Sequence, residues 1–154
     1  MMHRPYGVRD RRNERLLVPI GKNRRSEASV RYALQVSALG IDVDVCLLHV
    51  LEPLGYWQSF MPSDTESEDA LARQKGERVL AKAAAPLAAN RIAHSFYLKT
   101  GNLAFTILDT AEELACRGIV MPLPRPICGG IFDGDLVSTL SRCRRSTPLI
   151  MVGE

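Results

Sequence analysis

Four cysteines (Cys46, Cys116, Cys128, Cys143) and three histidines (His3, His49, His94) are the soft ligands and nucleophiles of this 154-residue chain. No CxxC pair occurs and no histidine stands at ligand spacing from a cysteine, whereas a structural zinc site needs close-set ligand pairs. Reduced, mostly buried thiols are expected. Cys46 falls in an apolar strand and Cys116 near the end of a helix, where a thiol packs as a small hydrophobe. His49, interior to a strand, fits a core or edge histidine better than a base. Asp133 and Asp135 could pass for an acid pair, but at a helix start such carboxylates cap and oppose the dipole. Asp109, Glu112 and Glu113 lie opposite an apolar stripe and read as a solvated face. The chain has no GxSxG elbow, Walker loop, GxGxxG or HExxH, and neither HxGH nor SGGxDS. No enzyme is expected.

Charge and composition narrow the partners. Hydrophobic residues make up 46% and charged residues 24%, with a net charge of +3, as in an ordinary globular chain of one domain. Residues 1–31 hold nine Lys/Arg against three acids, so the remainder is net negative. Residues 1–14 read as a basic N-terminal arm ahead of a domain at 15–154. Such an arm attracts polyanions, although terminal segments are commonly just solvated. It lacks interleaved aromatics on which bases could stack, so nucleic acid is not expected. No apolar run approaches the length of a membrane span, and the N-terminus is too soon broken for a secretory signal. A cytoplasmic location is expected.

The elements that must position any site alternate. Leu16–Ile20 is a short buried strand with Pro19 near its end. Ser26 is a candidate N-cap for a helix whose face is Val30, Ala33, Leu34 and Ala38, ending at Gly40. Val43–Val50 is a second strand. Residues 51–64 form the longest connection and contain Tyr56, Trp57, Phe60 and Met61, either a partner contact, a lid or a cover for the sheet end. A long helix opens at residues 64–69 and kinks or stops at Pro86. Ile92–Leu98 is a third strand, Asn102 an N-cap, and Ala104, Ile107, Leu108, Ala111, Leu114 and Ala115 the clearest amphipathic stripe. Gly118–Met121 is a fourth strand. Pro122–Gly134 is a Pro/Gly-rich loop, a fourth helix runs from about Asp135 to Arg144, and Leu149–Val152 closes the chain. The pattern predicts right-handed βαβ units around a parallel sheet.

Several segments in this order resemble the universal stress protein family, over residues 15–153. They are LLVPIGKNRRSEASVRYALQVSALG, CLLHVLEP, GNLAFTILDTAEELA, IVMP and GDLVSTLSRCRRSTPLIMVG. The resemblance implies an open five-stranded parallel α/β sheet, helices on both faces and strand order 3-2-1-4-5. It also implies dimers through the last strand, here Leu149, Ile150, Met151 and Val152, whose free edge is a template for a second copy. In many members adenine nucleotides bind between strands one and four, where the strand order reverses.

By that resemblance Ile20, Val50 and Met121 stand where the adenine is lined, and Gly134 matches a phosphate-loop glycine after a one-residue shift. All four also fit plain sheet-end core and a helix-start glycine. Gly21 stands where binding members carry Asp. The glycines of the G-x-x-G-x(9)-G-[ST] signature fall on Pro122, Arg125 and Asp135. Pro122, Pro124 and Pro126 have no N–H to offer a phosphate, and Asp133 and Asp135 would repel one. Lys22, Arg24, Arg25 and Arg125 could compensate if they converged. The expectation is a non-catalytic stress-response module with a vestigial crevice and no resident cofactor. Alternatives are ATP or another anion held by a rearranged Cys128–Gly134 loop, or, from a different class, nucleotide hydrolysis.

Overall fold

The structure, a computed structural model, describes residues 13–22, 24–52, 65–124, 131–143 and 145–153, with the backbone alone described at 65, 66 and 131–135. Along them run β1 (Glu14–Pro19), α1 (Ser26–Ala38), β2 (Val43–Leu51), α2 (Thr65–Ala89), β3 (Ala93–Thr100), α3 (Leu103–Glu113), β4 (Gly118–Pro122), α4 (Ile131–Arg142) and β5 (Leu149–Val152). The strands pair in parallel in the order β3-β2-β1-β4-β5, as expected. β1 is the pivot: Leu17 is opposite Cys46 of β2 on one side and Ile119 of β4 on the other.

Period-two alternation along β1 splits the core in two. Leu16, Val18 and Ile20 pack with Val45, Leu47 and Val120 under α1 and α2, which add Val30, Ala33, Leu80 and Leu87. Leu17, Cys46, Leu48 and Ile119 pack on the opposite face under α3 and α4, against Ile107, Leu108, Ala111 and Leu140. The near-continuous apolar run of β2 follows from this double cover. Among the described residues no helix is long and apolar enough to cross a membrane.

Local chemistry sets the element ends, and several differ from expectation. Arg25, not Ser26, is the N-cap of α1, without a side-chain cap bond; Ser26 is its first residue and is buried. Burial of Ser26 against the core overrides its capping preference. α2 continues through Pro86 to Ala89. It ends where Asn90 donates to the Pro86 carbonyl from both its backbone N–H and its side-chain amide, and Arg91 takes φ 55°. Proline removes one amide near the helix end, where few further bonds depend on it. Asn102 caps α3 as expected, accepting from the Phe105 amide at 3.1 Å. α3 ends at Glu113, before Ala115 with φ 52°, although half-buried Leu114 still packs against the core. β3 starts at Ala93, after buried Ile92, and runs to Thr100. α4 begins at Ile131, so Gly134 lies inside the helix.

Candidate functional site

At the carboxyl ends of β1 and β4 the backbone diverges toward different helices, and the side chains of that gap are dictated by strand register. Ile20 is fixed twice: its amide donates to the Leu48 carbonyl at 2.7 Å, and its carbonyl faces His49 Nδ1 at 2.7 Å. A carbonyl only accepts, so His49 Nδ1 carries the hydrogen. His49 is buried and ties the end of β1 to β2. It also borders a hollow on the α2 side, away from the β1–β4 gap.

The gap is a cavity of about 150 Å³ whose walls include Ile20, Gly21, Arg25, Met121, Pro122 and Leu136. Three of the expected residues, Ile20, Gly21 and Met121, therefore meet there. Val50 packs on the apolar cluster beneath α3 and is not part of the wall. It sits on β2, one strand removed from the gap. Gly134 stands within α4 rather than in a loop ahead of it. Tyr56, Trp57, Phe60, Arg125, Cys128 and the arm to residue 12 lie outside the described residues.

Among the described residues, amides that could hold a phosphate are scarce along the β4 exit. Pro122 and Pro124 have no N–H. The Leu123 amide between them donates to the Val152 carbonyl at 2.8 Å, closing the β4–β5 ladder. On the other wall, two first-turn amides of α1 are engaged: Glu27 donates to the Arg24 carbonyl and Ala28 to the Arg25 carbonyl, at 3.1 and 3.2 Å. Arg25 Nη2 donates to the Leu123 carbonyl at 3.2 Å, joining the start of α1 to the β4 exit.

Of the three described basic residues considered for compensation, Lys22, Arg24 and Arg25, Arg25 alone is placed on this wall. Lys22 and Arg24 turn to the opposite face of the sheet, where a hollow of about 400 Å³ lies between α1 and α2 over Val30 and Val79. Arg31 and Lys82 border it too. A neighbouring hollow of about 480 Å³ against β2 is bordered by Lys22, His49, Lys75 and Arg78. Sequence reasoning did not find these two hollows. A signal was present: Lys75, Arg78 and Lys82 recur at i, i+3 and i+7, one stripe of α2.

The fold and the strand order match one family. The universal stress protein family model covers residues 12–143. The chain belongs to the universal stress protein family. Similar solved structures include a universal stress protein family member from Burkholderia pseudomallei, 19% identical, with TM-score 0.72 over 90% of this chain and 95% of that one. Universal stress protein UspA from Lactobacillus plantarum is 16% identical, with TM-score 0.62 over 92% of this chain and 98% of that one. A family protein from Arabidopsis thaliana with AMP bound is 14% identical, with TM-score 0.65 over 91% of each chain. No curated protein sequence matches the chain. At these identities the solved structures speak for the shared universal stress protein fold alone.

Proposed function

We propose that this universal stress protein is a non-catalytic, homodimeric binding and regulatory module whose crevice does not grip a polyphosphate. The observation that carries it is the run Pro122-Leu123-Pro124, where two residues have no N–H and the third is committed to Val152. Helix ends and glycine loops hold phosphate through convergent free amides, and among the described residues this exit from β4 supplies none. The volume agrees. About 150 Å³ is well short of the roughly 300–1,000 Å³ of ordinary small-molecule sites. Free Cys46, Cys116 and Cys143 fit the reducing conditions of a cytoplasm. β5 lies at a sheet edge, which supports pairing with a second copy.

A second reading has one observation in its favour. Arg25 joins Ile20, Gly21 and Met121 at the crevice, so an adenine nucleotide could be held there with Cys128–Gly134 rearranged around its phosphates. AMP is bound in the Arabidopsis relative and cAMP in another universal stress protein of this fold. Equilibrium binding of labelled ATP, with and without magnesium and beside AMP and cAMP, separates the two. No saturable binding at micromolar nucleotide is expected. Saturable binding weakened by Arg25→Glu establishes the second reading, and release of phosphate or pyrophosphate overturns the non-catalytic assignment.

A further inference from the structure

α1 and α2 cover the same face of the sheet, and because each links two parallel strands they run in the same direction. The hollow of about 400 Å³ lies between them, away from the β1–β4 crevice. Both helices turn the same pattern toward it. α1 contributes Glu27, Val30, Arg31 and Leu34, and α2 contributes Val79, Lys82, Ala83 and Pro86, each set at i, i+3, i+4 and i+7. Facing stripes of this spacing ordinarily interlock. Here Leu34, Val79 and Ala83 stay half-buried around buried Val30, so an apolar floor is left open between the helices.

The rim of this floor is cationic. Lys22 and Arg24, which follow β1, and Arg31 and Lys82 on the helices are all exposed, and Glu27 is the one acid among the described lining residues. Lys22 and Val79 also border the adjoining hollow, where Lys75 and Arg78 stand with Glu68. Among the described residues none of these six cationic side chains makes a hydrogen bond or ion pair. Other cations of the chain are paired: Arg15 with Asp44, Lys99 with Glu113, and Arg145 with Asp109 and Glu112. Arg31 stays unpaired although Glu27 stands four residues before it on the same helix. Arg78 and Lys82, also four apart, repel each other along α2. A bound anion would offset that repulsion.

We propose that the α1–α2 hollow is a binding site for a small anionic amphiphile, a single aliphatic chain ending in a carboxylate or phosphate. The chain lies on Val30, Leu34, Val79 and Ala83, and the head group sits among Lys22, Arg24, Arg31 and Lys82. The volume falls within the roughly 300–1,000 Å³ of ordinary small-molecule sites, and an apolar floor with a few charged groups at its margin is their usual lining. Dimensions exclude larger partners. A stripe from i to i+7 spans two turns, roughly 10 Å along the axis, enough for one short chain and too short for the three or four turns of a typical partner helix. A bilayer is flat, whereas this floor is recessed between two helices. Nucleic acid needs aromatic side chains for its bases, and among the described residues none lines the hollow. A bare anion is insufficient as well, because exposed ion pairs are worth little by themselves. Burial of the chain supplies the affinity, and the rim selects the head group.

The test uses the full chain and isothermal titration calorimetry with decanoate and decyl phosphate, each below its micellar concentration. One saturable equivalent is expected for both, with no binding of inorganic phosphate and roughly tenfold weaker binding of neutral decyl glucoside. Arg31→Glu combined with Lys82→Glu is expected to weaken both anions roughly tenfold and to leave the neutral amphiphile unchanged. Ala83→Phe, which fills the floor, is expected to weaken all three. Circular dichroism checks the folding of each variant. If Ala83→Phe does not fold, the double charge variant, at exposed positions, still decides. Equal binding of the neutral amphiphile, no saturable binding of either anion, or anion binding unchanged in the charge variant overturns the proposal. So does association with phosphatidylglycerol vesicles without binding of the free amphiphiles, which would make this face a membrane contact. Excess ATP is expected not to displace decyl phosphate, and displacement would move the ligand to the crevice and overturn the assignment. The crevice is read separately by the nucleotide titrations above, so either result can fail without the other.

Discussion

At the scale of single residues the sequence speaks through hydrogen-bonding capacity. Asn102 Oδ1 caps α3 by accepting from Phe105. Asn102→Ala is expected to cost about 1 kcal/mol and lower the melting temperature by roughly 2–4 °C in a scanning experiment. Ser29 gives the opposite sign. Its Oγ is wholly buried with no partner among the described residues, so Ser29→Ala removes an uncompensated polar atom. A gain of about 1 kcal/mol in urea unfolding is expected.

At the scale of elements, close approach decides what propensity cannot. Gly76 lies mid-way along α2, where alanine would normally stabilise a helix by up to about 1 kcal/mol. A Cβ there would lie 2.8 Å from Leu98 Cδ1 and 2.9 Å from His49 Cδ2. His49 cannot swing away without releasing the Ile20 carbonyl. Overpacking costs about 1–3 kcal/mol, so it outweighs the propensity gain. Gly76→Ala is expected to destabilise by about 1 kcal/mol, checked by chemical unfolding, and a stabilised variant would mean that α2 stands further from the sheet. Alternation and the stripe of α3 made these elements legible in sequence. Their ends were less so, because Ser26, Pro86 and Gly134 obey the packing around them rather than their own tendencies.

At the scale of the whole molecule, strand order fixes which edges stay open. The amides of Ile119 and Leu123 donate to the Pro148 and Val152 carbonyls, so even-numbered residues of this stretch turn toward β4. The odd residues Leu149 and Met151 present their backbone groups to the open edge. Ile150 also packs into the α1–α2 core and Val152 is buried, so charges there would damage the fold as well as an interface. Met151→Pro is the cleaner variant, since it removes an outward amide and spares the bonds to β4. Sedimentation is expected to give a dimer for the parent and a monomer for the variant. A dimer that survives Met151→Pro would place the interface elsewhere.

The order of the elements, the parallel sheet and the two covered faces of β2 were determined by the sequence alone, because periodicity and turn residues act over a few neighbours. The missing amides of Pro122 and Pro124 were equally plain in the sequence, since a proline lacks its N–H in any fold. Tertiary structure decided the rest. It closed the Leu123 amide onto Val152 and turned Lys22 and Arg24 away from the crevice. Each depends on the direction in which a side chain or amide points once strands far apart in sequence lie side by side, and short-range pattern carries no record of that.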